Sequence, residues 1–465
     1  MPPTSCRALV KDYCSNCTFA GVHFIADDTK HWSERWLWFL LVVLCWYGSA
    51  LLIIAAWDAF VLSPISFGVE TTYTEWNTKM PAVAVCEIVQ DKQYKQKIYD
   101  VSDSIWTPDH LLDLEDALED ITYFRGSCHT LVDVCYNTKE PDYQCPMSNY
   151  SYYANLVRCE CPQLLKQCSY NGKLFPCCEY FQPIDTEIGR CYIINSIQTK
   201  EPNPYPMVSN LTNKRGVLRF EVMLGAMIYT LGEDEVPTIT TLQSSTLKLQ
   251  LGHIFKRHVA VKNIENDPLV TETTPEQRAC FFHHENEKGL YPHYSYSACT
   301  VLCRKKAQLD ICQCNDHFML GTSEAERCNI SGMACLNANS NNLTTLKPRW
   351  ATRPGMVCDC TPSCTETEIT VIKDVQTSGS HNSKKAIVHV ILARMSTERF
   401  KRNVVRSRLD LVVSLGGTTG LFLGASLLSF VEFIVYFTVR FTSNILIEQR
   451  KNQNVKPKHK RAVRF

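Results

Sequence analysis

Two long apolar stretches dominate the hydrophobic pattern of this 465-residue chain. Residues 36–57 contain no charged side chain, and residues 411–439 contain one, Glu432. Each stretch is long enough to cross the ~30 Å hydrocarbon core of a bilayer as a helix, so the pattern predicts two membrane spans. A cleaved signal peptide is the alternative for the first stretch, but 22 uncharged residues that begin after position 35 are too long and too late for one.

The chain between the two spans mixes helical and strand periodicities, which predicts an α+β fold. Apolar positions recur at helical spacing over residues 109–124, opposite an acidic face that we interpret as solvated rather than as a cation or proton site. Residues 217–230 and 385–392 predict strands. Residues 322–354 are rich in Asn, Ser and Thr, which indicates a loop.

Cysteine usage indicates that the enclosed segment faces an oxidising compartment. Twenty of the 24 cysteines lie between positions 86 and 364, an even number that favours disulfides. Zinc is the alternative for close pairs such as Cys358 and Cys360, but their C-x-C spacing is tighter than in usual zinc knuckles, and no metal or cofactor is expected. Glycosylation sequons in the same segment indicate the same compartment. They begin at Asn149, Asn210, Asn329 and Asn342.

The charges that flank the apolar stretches predict the orientation. Four basic residues precede the first stretch, whereas Lys79 is the first one after it, so the N-terminus is expected in the cytosol. Five basic residues just before the second stretch oppose this, but a long loop is translocated largely regardless of its charge. The predicted segments are a cytosolic tail (1–35), the first span (36–57), an extracellular cysteine-rich domain (58–410), the second span (411–439) and a basic cytosolic tail (440–465).

Neither enzymatic activity nor nucleic-acid binding is expected. Three histidines lie near cysteines, but no nucleophile stands at a defined spacing from a base, and exported cysteines are expected to be bridged. These histidines are His283, His284 and His293. The formal charge of the whole chain is +1. The spans therefore favour a membrane transport or receptor function over a catalytic one.

The second apolar stretch carries an unusual pattern of small residues. Gly416, Gly420 and Gly424 recur at every fourth position, which gives a helix one flat face. For an isolated pattern of this kind, ordinary helix packing is the better explanation. Glu432 changes the balance, because a carboxylate in a span is costly and usually faces water or a partner. We expect it in the cytosolic half of a water-filled pore, where it concentrates cations.

Several motifs in combination resemble one family. They are GAS at 424–426, MPAVAVCE at 80–87, GRCYIIN at 189–195, YSYSACTVLCRKKAQLDICQC from 294, and CDCTPSC from 358. Together they resemble the degenerin and epithelial sodium channel family, and EQRAC with YSYSAC is most similar to the insect pickpocket branch.

This resemblance implies a trimer of two-span subunits, each with a large β-rich, disulfide-bonded extracellular domain. It implies a voltage-independent, amiloride-type channel selective for sodium, with Gly424, Ala425 and Ser426 as the selectivity filter. The expected partners are sodium ions, the lipid bilayer, related subunits in a homo- or heterotrimer, and an extracellular ligand of unknown nature. Gating through the extracellular domain and a constitutive leak both remain open. An ATP-gated channel or a non-conducting receptor is the alternative, and the cysteine spacing beside the glycine-rich span argues against both.

The resemblance also implies a set of disulfides. Six cysteines are left without an assigned partner: Cys128, Cys135, Cys145, Cys159, Cys161 and one of Cys177 and Cys178. The implied pairs are Cys86 with Cys191, Cys280 with Cys364, Cys299 with Cys360, Cys303 with Cys358, Cys312 with Cys335, Cys314 with Cys328, and Cys168 with Cys177 or Cys178.

Two positions depart from the family pattern. The tail before the first span has Ala20-Gly21 where the family usually has His-Gly, so a gating role of this segment is in question. Val413 replaces a small residue that the family places at the extracellular pore mouth, where a bulky side chain is associated with channels that resist closing. The expected pore and gate positions are Val413, Gly416, Gly417, Gly420 and Glu432.

Overall fold

The computed structural model contains two compact units. The first comprises Met1–Ser66, Leu269–Thr273 and Val404–Phe465, and the second comprises Phe67–Pro268 and Thr274–Asn403. The predicted basic tail lies almost wholly outside the residues that the structure describes. The described residues are 6–71, 76–89, 99–101, 111–137, 145–201, 207–210, 216–286, 289–379, 384–393, 399–440, 442–443 and 446.

Helices and strands alternate irregularly along the chain. The helices are α1 (Cys6–Asn16), α2 (Val22–Ala26), α3 (Trp32–Leu62), α4 (Leu111–Thr122), α5 (His129–Cys135), α6 (Tyr150–Val157), α7 (Cys161–Leu164), α8 (Cys177–Tyr180), α9 (Pro275–Arg278), α10 (Tyr296–Cys312), α11 (Ile330–Ala338), α12 (Ser340–Thr344), α13 (Arg408–Leu423) and α14 (Leu427–Val435). The strands are β1 (Ile65–Glu70), β2 (Thr78–Lys79), β3 (Ala82–Glu87), β4 (Leu165–Tyr170), β5 (Lys173–Phe175), β6 (Gln182–Thr186), β7 (Gly189–Ile194), β8 (Val208–Ser209), β9 (Val217–Val222), β10 (Ala226–Leu231), β11 (Thr246–Lys248), β12 (His253–Asn266), β13 (Thr367–Ser378), β14 (Ala386–Leu392) and β15 (Arg399–Val404).

Helix α3 is the longest element of the first unit. Its most apolar 18-residue window has a mean hydropathy of 2.4, and only 6% of that window is buried. At 1.5 Å per residue the helix is about 46 Å long, enough to cross a bilayer. It extends beyond the predicted span of 36–57 at both ends. The helix begins where the His31 ring accepts the Ser33 N–H, and it ends before Pro64, which has no N–H to continue it.

The second apolar stretch is a pair of helices rather than one continuous helix. Helix α13 ends at Leu423 and α14 begins at Leu427, with a bend of 72° between them. Among the described residues, α3 is the one single helix that is long and apolar enough to cross a membrane. Helix α13 and the helical segment Leu427–Val439 are long and apolar enough only when they are taken together as one bent span. The predicted range of 411–439 therefore covers two helical segments and the break between them.

The second unit is built on two main sheets. The eight-stranded sheet has the order β1-β15-β12-β14-β9-β4-β5, with β13 also paired to β12. Strand β12 lies at its centre and runs antiparallel to β13 but parallel to β14 and β15. The five-stranded sheet has the order β11-β10-β3-β7-β6, and its neighbouring strands are all antiparallel. Strands β2 and β8 form a separate pair.

Strand β3 explains why MPAVAVCE is apolar at almost every position. Its residues are all buried, because both faces of the strand meet a hydrophobic core. Val83 and Val85 belong to a core shared with β9, β12 and β14, where Phe220 and Val388 are fully buried. The alternate residues of β3 belong to a second core that includes Val301 of helix α10. The five-stranded sheet therefore has a hydrophobic core on each face.

Two local predictions are wrong. The predicted strand 217–230 is two strands, because the chain leaves the larger sheet after Val222 and enters the smaller one at Ala226. The predicted loop 322–354 contains helices α11 and α12. The side chain of Asn329 caps α11 by accepting the Gly332 N–H at 2.9 Å, and apolar side chains of α11 enter a helical core formed with α4, α5 and α6.

Nine disulfides cross-link the second unit. Each cysteine pair that the family resemblance implies is bonded, and Cys168 is joined to Cys177. Two further bridges join Cys135 to Cys145 and Cys161 to Cys178, in the region where the resemblance assigns no partner. Cys128 is buried in the helical core, outside the nine bridges. The remaining bridges are Cys86–Cys191, Cys280–Cys364, Cys299–Cys360, Cys303–Cys358, Cys312–Cys335 and Cys314–Cys328.

The partly buried carboxyl group of Glu235 predicts a pH-dependent stability of the second unit. Burial and the neighbouring Asp234 raise the pKa of Glu235 from 4.5 to about 7. The unfolded chain releases this proton near pH 4.5 and the folded chain near pH 7, so stability is expected to fall as pH rises across that window. We expect Glu235→Gln to flatten this dependence in thermal unfolding of the purified protein. Glu179→Gln, at an exposed position, is the control, and equal slopes in parent and Glu235→Gln would refute the prediction.

Candidate functional site

The break in the second apolar stretch is formed by the tripeptide Gly424, Ala425 and Ser426. Gly424 ends α13 in the left-handed conformation (φ 60°), and its N–H bonds to the Gly420 carbonyl at 3.0 Å. Glycine adopts this conformation without the Cβ penalty of other residues. Ser426 then caps α14, because its hydroxyl accepts the Ser429 N–H while the Ser429 hydroxyl accepts the Ser426 N–H. The three residues expected to form the filter therefore make the only non-helical segment between Arg408 and Arg440, all of which the structure describes.

The segment before the first span contacts this break directly. The backbone N–H of Ala20 donates to the carbonyl of Leu423, the last residue of α13, at 3.0 Å. Gly21 follows with a φ of 80°, and a Cβ there would lie 2.9 Å from Val42 of α3. The bond to Leu423 uses the backbone of Ala20, so a histidine at this position would supply the same donor. Alanine in place of the family's usual histidine thus leaves this contact intact.

Glu432 also contacts the N-terminal segment. The Thr18 hydroxyl lies 2.8 Å from Glu432 Oε2 and 2.8 Å from the Ser429 hydroxyl. Sequence reasoning identified Glu432 but neither Thr18 nor Ser429. Only the spacing of Ser426 and Ser429, typical of a capping pair, could have indicated one of them. Thr18 carries no local signal, because its partner is 414 positions away.

Aromatic rings anchor the N-terminal segment to the end of the second apolar stretch. The ring of Tyr13 lies 5.8 Å from Phe433, 5.2 Å from Tyr436 and 5.1 Å from Phe437, measured between centroids. Phe19 contacts Phe430 edge to face at 6.0 Å. Such pairs add stability beyond the burial of their area. The contacts hold residues 13–20 along α14.

The glycine positions of α13 are open in the single chain. A Cβ added at Gly416 or Gly417 would meet no atom within 4 Å, and at Gly420 it would meet only the Ala425 carbonyl at 3.9 Å. Val413 lies three, four and seven residues before these glycines, hence on the same helix face, and its side chain is 64% exposed. On another face, the Phe422 ring lies 3.2 Å from where a Cβ of Gly48 in α3 would be, so α13 packs against α3 there.

The histidines and sequons occupy structural or surface positions. His283 bonds through its two ring nitrogens to the Tyr294 carbonyl and the Thr365 hydroxyl. In the described ranges of the chain, no group of three His, Cys, Asp or Glu side chains could hold a metal ion. Three of the four sequon asparagines are exposed, whereas Asn210 is half-buried, with its Nδ2 bonded to Asn77. The exposed ones are Asn149, Asn329 and Asn342.

Curated relatives of this chain are sodium channels, pickpocket proteins and degenerins. Sodium channel protein Nach of Drosophila ananassae is 23% identical over 474 residues, which cover 94% of this chain and 88% of that protein. Pickpocket protein 19 of Drosophila melanogaster is 23% identical, covering 60% of this chain and 61% of its own length. Degenerin del-1 of Caenorhabditis elegans is 24% identical, covering 60% of this chain and 44% of its own length.

Structure comparison adds nothing to these sequence matches. A cryo-electron microscopy structure of a proton-activated chloride channel aligns with 88% of this chain and 98% of its own, at 7% identity and a TM-score of 0.22, which carries no argument. The family described as amiloride-sensitive sodium channel, in contrast, matches residues 13–436. That range includes the first apolar stretch, the cysteine-rich unit, and the second apolar stretch as far as residue 436, with the break at Gly424. The resemblance is confirmed, and the chain belongs to the degenerin and epithelial, amiloride-sensitive sodium channel family.

Proposed function

We propose that this chain is a subunit of a trimeric, voltage-independent, sodium-selective channel of the plasma membrane that amiloride-type drugs block. The observation that carries the proposal is the break at Gly424–Ser426, with Glu432 two turns beyond it, in a member of a sodium channel family. Non-helical backbone at membrane depth is tolerated where it lines a water-filled path. Three copies of the break around an axis would offer backbone carbonyls and the Ser426 hydroxyl to a partly dehydrated cation.

The open glycine face supports assembly from several subunits. Gly416 and Gly417 have free space around their Cα atoms in one chain, and Val413 on the same face is exposed. Small residues on one helix face allow neighbouring backbones to approach closely in a membrane. This face is therefore the one that we place toward the threefold axis. Related subunits could supply some of the three copies.

Contacts within the first unit support a chain whose two ends lie on the same side of the membrane. Tyr13, which precedes α3, packs on Phe437, which follows α14. A path that crosses once through α3 and returns through the bent pair brings these residues together. We place that side in the cytosol and the disulfide-bonded unit outside the cell, where disulfides persist and the sequon asparagines at 149, 210, 329 and 342 are proposed glycan sites.

A voltage-clamp experiment tests the proposal. The full chain is expressed in oocytes, its surface delivery is measured by biotinylation, and external sodium is replaced by the large cation N-methyl-D-glucamine. We expect an inward current that disappears on replacement, shows no voltage-dependent gating and is blocked by amiloride. Uninjected oocytes are the control. Surface-delivered protein without such a current, alone or together with pickpocket subunits, would contradict the channel proposal.

The Val413 side chain predicts a resting sodium leak. Three β-branched side chains would crowd a closed pore mouth, and such overpacking typically costs about 1 to 3 kcal/mol. If opening of the pore relieves about 1.4 kcal/mol of this strain, the ratio of closed to open channels falls about tenfold. We expect Val413→Gly to lower the resting amiloride-blockable current at equal surface density. Val412→Gly, at the adjacent exposed position on another helix face, is the control. If Val413→Gly carries the same resting current as the parent, the Val413 side chain contributes only to helix packing and the prediction of a leak is wrong.

A further inference from the structure

A chain of hydrogen bonds connects the break to Glu432 through the N-terminal segment. The Ser426 N–H donates to the Ser429 hydroxyl at 3.1 Å. The Ser429 hydroxyl lies 2.8 Å from the Thr18 hydroxyl, which lies 2.8 Å from Glu432 Oε2. Thr18 is thus the one link of this chain that does not belong to the second apolar stretch, and it stands between the break and the carboxylate.

The Thr18 hydroxyl is placed to donate to two acceptors, the Ser429 hydroxyl and Glu432 Oε2, each at 2.8 Å. A carboxylate oxygen accepts, so the bond between Thr18 and Glu432 uses the single proton of the Thr18 hydroxyl. The Ser429 hydroxyl accepts the Ser426 N–H at the break. Thr18 is therefore a donor that lies within hydrogen-bond distance of both the carboxylate and the residue that caps the break.

We propose that Thr18 is a selectivity-determining residue of the channel, because its hydroxyl fixes the position of the Glu432 carboxylate relative to Ser426. This inference rests on the proposed channel function and deepens it. Thr18 is a positioning residue, since it acts on the permeating ion through Glu432.

The physical reason lies in the freedom of the carboxylate without this bond. Glu432 is half-buried, and among its neighbours Thr18 donates to it directly. A glutamate released from a donor can rotate about three torsions, which spreads its charge over a larger volume. In a pore, the position of a charge relative to the coordinating groups decides how strongly a small cation is favoured over a larger one. Loss of the Thr18 hydroxyl would therefore change ion choice while leaving the backbone contact of Ala20 in place.

The test compares variants of the full chain under bi-ionic conditions, with sodium outside and potassium inside. Thr18→Val removes the hydroxyl at nearly constant shape, and Thr18→Ser keeps it. The reversal potential gives the sodium-to-potassium permeability ratio and does not depend on how many channels reach the surface. We expect Thr18→Val to lower this ratio by roughly two- to tenfold, the range that corresponds to the net contribution of an ordinary hydrogen bond. Thr18→Ser should keep the parent ratio.

Two further variants separate positioning from general damage to the segment. Ser15→Ala removes a hydroxyl from the same segment, but that hydroxyl donates locally to the Lys11 carbonyl at 2.9 Å, so the ratio should not change. In a Glu432→Gln background, Thr18→Val should have much less effect than in the parent, because both changes act on one charge.

The outcomes are distinct. If Thr18→Val keeps the parent ratio, if Thr18→Ser lowers it as much as valine does, or if the effects of Thr18→Val and Glu432→Gln on the ratio simply multiply, the inference is wrong although the channel function stands. If the parent reaches the surface and carries no cation current with any subunit partner, the proposed function fails, and the role of Thr18 fails with it.

Discussion

Gly424→Val is expected to abolish the sodium current, or to reduce it at least about tenfold, while the protein still reaches the cell surface. Gly424 has a φ of 60°, and a left-handed conformation costs an L-residue about 1 to 2 kcal/mol, more when the residue is β-branched. A Cβ at this position would lie 3.0 Å from the Cβ of Ala20 and 3.6 Å from its backbone nitrogen. The new side chain would therefore displace the residue whose N–H bonds to Leu423, and it would do so in each subunit.

A matched set of variants identifies the cause. Leu421→Ala changes a side chain of the same helix that is 82% exposed, and it should conduct like the parent. Gly424→Ala should reduce the current less than valine does. Adding Ala20→Gly to Gly424→Ala removes the methyl group that opposes the new Cβ and should restore part of the current. Parent-like current and selectivity in Gly424→Val, at equal surface labelling, would remove these residues from the ion pathway.

The sequence predicted the elements whose signal is local and strong. The length of the first uncharged stretch was enough to predict helix α3. The predicted span was too short at both ends, because it stopped at the nearest charged residues, whereas the helix continues past them to Trp32 and Leu62. The strand predicted at residues 385–392 is present as β14 (Ala386–Leu392), because its apolar run is also a local signal. The strand pair β9 and β10 was read as one strand, since an apolar run cannot show where a chain moves from one sheet to another.

Contacts between distant positions were not accessible from periodicity. The disulfide pairs implied by family resemblance are present as bonds, but Cys135–Cys145 and Cys161–Cys178 could not be assigned, because several pairings satisfy the same spacing. Helix α11 was not predicted, because Asn and Ser are common both in loops and at the ends of helices. The segment is helical because Ile330 and Met333 bury one of its faces, which the sequence alone does not show.

The candidate site shows the same difference between groups with a local sequence signal and groups brought together only by folding. Gly424, Ala425, Ser426 and Glu432 were named from the sequence, since small residues and one carboxylate are conspicuous in an apolar stretch. Thr18 was not, because a hydroxyl in a polar tail is unremarkable until folding places it 2.8 Å from Glu432. Residue type was therefore enough to identify the candidate groups within the second apolar stretch. Only the fold shows that Thr18 donates to one of them, Glu432.

Arg257→Ala is expected to cause a large loss of stability in the second unit. The Arg257 side chain is 1% exposed, and its guanidinium bonds to both oxygens of Asp374 at 2.9 and 2.8 Å. It also donates to the Thr230 hydroxyl and to the carbonyls of Ser245 and Thr246, which uses all five of its N–H groups. These bonds connect four strands, β10, β11, β12 and β13, and they also reach Ser245, the residue just before β11.

The expected loss is about 3 kcal/mol, at the low end of the 3 to 5 kcal/mol seen when one partner of a buried pair is removed, because the Asp374 side chain is 38% exposed. Thermal unfolding of the purified full chain in detergent, together with its surface delivery, measures the effect. Arg349→Ala is the matched control: Arg349 also pairs with an aspartate, but both side chains are at least 70% exposed, so its removal should cost less than about 1 kcal/mol.

A second change distinguishes an unpaired charge from lost packing. Arg257→Met keeps most of the buried volume but leaves Asp374 without its guanidinium and three acceptors without donors. Adding Asp374→Asn removes the unpaired charge, so the double variant should recover part of the loss if electrostatics dominates. No recovery would assign the loss to the Thr230, Ser245 and Thr246 acceptors instead. If Arg257→Ala unfolds at the same temperature as Arg349→Ala, the guanidinium does not stabilise the junction of these strands, and the prediction is wrong.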